Sequence, residues 1–272
     1  MRIRIVDAFT DRPFGGNPAG VLLLEGGFPT DGWLQQVAAE VNLSETAFAH
    51  PLPPGGEADW ALRWFTPSAE VDMCGHATLA TAHVLVTSGL ATGTIRFSAR
   101  CGILEVTPAG DGTLVMDFPT SSLTEVETEA AVERALGAVV TSVHDTSAHI
   151  GDLVVELADE RAVRELTPDL AALRSYARRG IMVTAAAEDP SRGYDFVSRG
   201  FFPALGIDED PVTGSAHTAL APFWAQRLGR TELVGLQGGA RTGLVRVRVL
   251  GDRTLLTGRA VTVIDGELLS AP

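Results

Sequence analysis

Two segments of this 272-residue chain echo one another. Arg63-Trp64-Phe65-Thr66-Pro67 leads to Cys74-Gly75-His76-Ala77-Thr78-Leu79-Ala80, and Arg199-Gly200-Phe201-Phe202-Pro203 leads to Thr213-Gly214-Ser215-Ala216-His217-Thr218-Ala219. Each runs from a strand-like stretch through an acidic loop into an apolar helix pattern. The first turn of a helix carries backbone N–H groups without intrahelical acceptors, and such groups attract anions. A duplicated chain is therefore expected, with one helix start from each half aimed at a shared anionic substrate.

The rest of the pattern supports duplication. Alternation predicts strands near 2–8 and 20–25, then a helix opening at Thr30-Asp31 with Trp33, Leu34, Val37, Ala38 and Val41 on one face. Strands near 44–49 and 59–65, a helix over 75–88, and strands near 93–98, 102–108 and 113–118 follow. The second half reads as helices near 126–136 and 159–178, strands near 180–186 and 194–202, a helix over 214–228, and strands near 233–237, 243–250 and 254–265. The two helices after the acidic loops are apolar on most sides, which marks buried helices. The expected fold is α+β: two pseudo-symmetric lobes, each a barrel-like, mostly antiparallel sheet around a central helix. The polar stretch 119–125 sets lobes of 1–118 and 119–272, the last strand being free to return to the first lobe.

Composition excludes several chemistries. The chain contains no lysine, so pyridoxal phosphate enzymes, Schiff-base aldolases and P-loop proteins are ruled out. No dinucleotide-binding G-x-G-x-x-G occurs; Gly15-Gly16-Asn17-Pro18-Ala19-Gly20 has the wrong spacing. A net charge of −13 with scattered arginines argues against a nucleic-acid surface. The 45% hydrophobic content is spread without a bilayer-length run, so no membrane partner is expected. The start, Met1-Arg2-Ile3-Arg4-Ile5-Val6, reads as a strand and not as a secretory leader, which suggests a cytoplasmic location. Cys74 and Cys101 are too few for a disulfide framework or a structural zinc site.

The candidate residues each carry a plain structural alternative. Glu45, on a strand over 44–49, shares a small-residue face with Ala47 and Ala49 and suits a cavity wall; alternatively Asn42 caps a helix and Glu45 completes a capping box. Asp208-Glu209-Asp210 precedes a helix start, where Asp210 or Thr213 would serve as an ordinary cap, yet three acids exceed what a cap needs. His76 and His217 each read singly as core histidines and together as a matched pair in two first turns. Cys74, just ahead of a helix, sits where a thiol becomes acidic; Cys101 reads as packing. No G-x-S-x-G elbow surrounds Ser215. Neither H-x-x-x-H nor H-x-H spacing links His76, His217 or Asp210 to a metal, so none is expected.

Four motifs in order, Asp7 to Gly20, Asn42-Leu43-Ser44-Glu45-Thr46-Ala47-Phe48, Arg63 to Ala80 and Asp208 to His217, resemble the phenazine-biosynthesis (PhzF-like) isomerase family. The resemblance implies a diaminopimelate epimerase-like fold with the active site in a cleft between lobes, a homodimer, and a cofactor-free proton shift. It places Glu45 as general acid/base and His76, Asp210 and Ser215 as substrate contacts; the helix-start glycines Gly75 and Gly214 join them through their N–H groups. Cys74 is closer to the first catalytic cysteine of the epimerases, and Gln237-Gly238-Gly239-Ala240-Arg241 departs from the Arg-Gly-Gly pattern of relatives. The expected function is a cofactor-independent isomerase acting on a small carboxylate-bearing substrate. The alternatives are an epimerase or racemase using Cys74, or a catalytically silent binding protein.

Overall fold

The computed structural model describes residues 1–146, 150–176, 179–270 and 272. The chain divides into two compact units, Met1–Asp117 with Thr257–Pro272, and Phe118–Leu256.

In the first unit the elements are β1 (Arg2–Ala8), β2 (Asn17–Leu23), α1 (Asp31–Val41), β3 (Glu45–Pro51), β4 (Trp60–Phe65), β5 (Glu70–Val71), α2 (Gly75–Thr87), β6 (Ile95–Ala99) and β7 (Gly102–Pro108). After β8 (Leu114–Pro119) come β9 (Thr124–Val126), α3 (Ala130–Leu136), β10 (Val140–Asp145), β11 (Asp152–Leu157), α4 (Glu160–Arg164), α5 (Leu170–Tyr176), β12 (Gly180–Ala186), β13 (Phe196–Phe202), β14 (Ile207–Asp210), α6 (Gly214–Leu228), β15 (Glu232–Gln237), β16 (Gly243–Leu250) and β17 (Arg253–Gly258). The final strand, β18 (Ala260–Glu267), pairs with β1. The fold is mixed α and β, mostly sheet with few helices, as the sequence suggests.

Strand pairing repeats along the chain. In the first unit β2 runs parallel to β3, β3 antiparallel to β4, β4 parallel to β6 and β6 antiparallel to β7. In the second, β11, β12, β13, β15 and β16 are joined in that same sequence of parallel and antiparallel pairs. A parallel pair needs a crossover connection. The helices supply it: α1 bridges β2 to β3 and α2 bridges β4 to β6, while α4 with α5 and then α6 take those places in the second unit. Every residue of α2 from Gly75 to Ala82, and of α6 from Gly214 to Ala221, is buried. β1, β2, β3, β7 and β18 pack on α2, and β11, β15 and β16 pack on α6. Burial on all sides is why both helices lack a polar face.

Several expectations from the sequence need correcting. The helix read over 159–178 is two short helices, because Pro168 disfavours helical backbone at Thr167 and Asp169 restarts the helix by accepting from the Ala172 N–H at 3.0 Å; residues 177 and 178 lie outside the described ones. The helix near 126–136 begins only at Ala130, since Thr124–Val126 is a strand on β10. Strands β5, β10, β11 and β14 were not expected. The strand over 254–265 breaks after Gly258, where a Cβ would lie 2.5 Å from the Phe9 ring, before β18 pairs with β1. Among the described residues no helix is long and apolar enough to cross a membrane.

Candidate active site

The echoed arginines build the scaffold of each site. Arg63 on β4 donates from Nε and Nη2 to the two carboxylate oxygens of Glu70 on β5, at 2.7 and 2.8 Å. Arg199 on β13 makes the same fork to Glu209 on β14, at 2.8 Å for both bonds. Each fork pins the acidic return strand to its neighbour and so aims the helix that follows. Of the three acids in the second loop, Asp208 is exposed and Glu209 is held by Arg199, leaving Asp210 buried at the helix start. Their number is thus explained by three separate situations.

In the first unit Glu45 opens β3 beside Ala19 of β2. By alternation its face carries Ala47 and Ala49, while Phe48 on the other face packs with Leu22, Leu34, Val37, Ala38 and Phe65. Asn42 is the left-handed C-cap that ends α1, at φ 52°, so the capping-box reading of Asn42 and Glu45 fails: a helix ends there and none begins. Glu45 Oε2 lies 3.4 Å from His76 Nε2, the two side chains being 13% and 4% exposed. His76 Nδ1 lies 3.4 Å from Cys74 Sγ, and Nε2 lies 3.3 Å from Ser44 Oγ.

Hydrogen-bond bookkeeping assigns the tautomer. Ser44 Oγ donates its one proton to Asn17 Oδ1 at 3.2 Å, so it can only accept from His76. Nε2 therefore carries the proton and faces two acceptors, Ser44 and Glu45, while Nδ1 presents its lone pair to the Cys74 thiol. Burial pulls the imidazole down to about 3, so at neutral pH the ring is uncharged and does not neutralise Glu45. Asn17, fully buried, is held where Gly16 turns at φ 58°; a Cβ at Gly16 would run into the Ala8 carbonyl. Asp7 accepts from the Phe14 N–H in the same loop at 2.7 Å. The glycine-rich segment thus orients the histidine.

In the second unit Asp210 accepts from Thr213 Oγ1 at 2.6 Å. Gln237, wholly buried, accepts from the Thr213 N–H at 2.9 Å and donates to the Asp210 carbonyl at 3.1 Å and to Thr213 Oγ1 at 3.0 Å. The departure from the Arg-Gly-Gly pattern therefore places a neutral clamp on the acidic loop. Ser215 accepts from Arg179 Nη2 at 3.1 Å, and Arg179 Nη1 donates to Asp152 Oδ2 at 3.0 Å. Asp152 is fully buried, and burial pushes its carboxyl up to about 6; Arg179 opposes the shift and Asp210 adds to it. Sequence reading noticed Gln237 only as a departure from the pattern of relatives and missed Arg179 and Asp152, since neither belongs to a repeated motif and both lie far along the chain from Ser215. Gly75 and Gly214 are the first residues of α2 and α6, and neither helix is capped by its N-cap side chain, Cys74 or Thr213.

Two further readings are corrected. His76 and His217 are not a matched pair: His76 is the second residue of its helix and His217 the fourth. At 3.6 residues per turn, two positions rotate a side chain by about 200°. His217 instead bonds back through Nδ1 to the Thr213 carbonyl at 2.9 Å, as Thr78 does through Oγ1 to the Cys74 carbonyl at 2.6 Å. The true partner of His76 is Ser215. Cys101 is exposed on the turn between β6 and β7 and is not a core residue.

The sequence profile of the family described as phenazine biosynthesis-like protein matches residues 6–266. An uncharacterized isomerase of Pseudomonas aeruginosa is 46% identical over 269 residues, covering 97% of this chain and 96% of its own. A crystal structure of a phenazine biosynthesis protein PhzF family member from Enterococcus faecalis aligns with TM-score 0.90 at 39% identity over 99% of each chain. A hydroxyproline epimerase from Agrobacterium vitis shares the fold alone: TM-score 0.62 and 14% identity over 98% of this chain and 91% of that one. The name of the Pseudomonas relative agrees with the isomerase class expected from the motifs. With a match over nearly the whole chain and a relative this similar, the chain belongs to the phenazine biosynthesis-like (PhzF) family.

Proposed function

We propose that this protein is an isomerase that shifts a carbon-bound proton on a small carboxylate-bearing substrate without a cofactor, with Glu45 as the acid/base. The chemical task is to take a proton from carbon next to a conjugated carboxylate. A carboxylate base does this where water is excluded and hydrogen-bond donors meet the developing negative charge. The observation that carries the reading is the buried approach of Glu45 to His76, 3.4 Å apart at the start of α2. A protonated imidazole at 3.4 Å would quench the base by forming an ion pair, whereas a neutral one forms none.

Gly75 and His76 head a helix without a side-chain cap, and their N–H groups suit the carboxylate of the substrate. Asp210, Gly214 and Ser215 are proposed as further substrate-binding residues. The proton taken by Glu45 returns to a different carbon of the conjugated system, which makes the product an isomer. Incubating the protein in heavy water with a panel of unsaturated and amino-acid-like carboxylates, and reading deuterium by mass spectrometry, tests this. Exchange that slows by about 10²–10⁴-fold in Glu45→Gln is expected; exchange at the wild-type rate in that variant refutes the assignment.

Cys74 supports a second reading, epimerisation, because its thiol contacts the bare Nδ1 of His76. In that case Cys74→Ser would abolish exchange and Cys74 would carry a proton on the opposite face of the substrate.

A further inference from the structure

Glu45, Cys74 and His76 form a triangle: one donor atom from each lies within 4.8 Å of the other two. A chain of bonds running straight through both ring nitrogens would hold thiol and carboxylate on opposite sides of the imidazole, well beyond that separation. We propose that this triangle is a binding site for a soft divalent cation of the zinc class, and that its occupancy blocks the proton-transfer site.

The donor set and geometry carry this. Thiolate, imidazole and carboxylate are the three side chains zinc takes, and three protein ligands leave one position open to water. Zn–S near 2.3 Å and Zn–N near 2.0–2.1 Å at tetrahedral angles put sulfur and nitrogen about 3.5 Å apart. Cys74 Sγ and His76 Nδ1 are already 3.4 Å apart. Nδ1 is the nitrogen with the lone pair, because Nε2 donates to Ser44, whose own proton goes to Asn17. A ligating imidazole ordinarily donates its other N–H to an oriented acceptor, and Ser44 supplies one. On binding, the thiol gives its proton to the buffer as the metal–sulfur bond forms, and the Glu45 carboxylate supplies the third ligand while Nε2–H stays on Ser44.

The blocking effect rests on the assignment of Glu45 as base; the binding does not. The test titrates cadmium chloride into a Cys101→Ser protein, which retains Cys74 as its one thiol, and follows thiolate-to-cadmium charge-transfer absorption. Saturation near one cation per chain is expected, with the band absent in Cys101→Ser/Cys74→Ser. Affinity should fall by roughly tenfold or more when Glu45→Gln or His76→Asn is added. Cadmium should raise the melting temperature of the parent and not of the Cys74→Ser protein, and melts without metal report whether each variant is folded. No band in folded parent protein, or equal affinity in the folded Glu45 and His76 variants, overturns the site. Substrate exchange that continues with the site saturated refutes Glu45 as base and leaves the site standing.

Discussion

At the start of α2 a histidine in the second position meets a carboxylate, a thiol and a serine hydroxyl. At the start of α6 the second position is Ser215, tied through Arg179 to the buried Asp152. The other histidine there, His217, faces the Phe196 ring with its Nε2 unpartnered. Equal segments of sequence thus built equal scaffolds, fork and buried helix alike, and then diverged at the second helical residue. A repeated motif preserves backbone geometry, while the chemistry depends on one side-chain position whose direction changes by 100° per residue.

The scaffold comparison breaks most visibly at the forks. Arg199→Ala should cost on the order of 3 kcal/mol, because it strands Glu209 and also removes donors from the Val163 and Leu166 carbonyls. Arg63→Ala should cost less, since its second acidic partner, Asp31, is well exposed. Urea unfolding of the two variants decides this, and an equal or reversed order would show that the forks carry the same load. Next in size is the helix start itself. Gly214→Val should weaken binding of an exchanging carboxylate by roughly tenfold or more while the melting temperature moves little. Calorimetry that finds unchanged affinity would refute the proposal that α6 binds the carboxylate.

A smaller difference lies in acid. Burial holds His217 down to about 4 from an ordinary 6.5, so the unfolded chain binds the proton first as pH falls through that interval. Native stability is therefore lost between pH 6.5 and 4. His217→Phe removes this group, starts lower because the Thr213 carbonyl loses its donor, and should show a shallower decline of melting temperature over the same interval. Parallel curves would mean that His217 titrates alike in both states. Cys74→Ser is the smallest: exchange should change by only a few-fold if Glu45 works alone, and loss comparable to Glu45→Gln would turn the reading to epimerisation.

Legibility followed repetition. The two buried helices, their first residues and the echo from Arg63 and Arg199 are visible in the sequence because duplication writes each twice, and the glycine after Cys74 and Thr213 marks the turn. Strands β10 and β11 escaped notice because they are flanked by polar groups, His144 and Asp145 at one end and Asp152 at the other, that look like loop. Pro168 divides a helical pattern that otherwise reads through. Arg179 and Asp152 acquire meaning only by closure in space: both are unremarkable until folding sets Arg179 between Ser215 and Asp152. The difference between His76 and His217 was legible in principle, since it needs only a count from the helix-start glycine.

The most direct test compares kcat and KM for an exchanging carboxylate in wild type, Glu45→Gln and Asp210→Asn, with melts to confirm folding. Glu45→Gln should lower kcat by about 10²–10⁴-fold with KM little changed. Asp210→Asn should act chiefly on KM. A folded Glu45→Gln protein that keeps the wild-type kcat would contradict the placement of proton transfer at the start of β3.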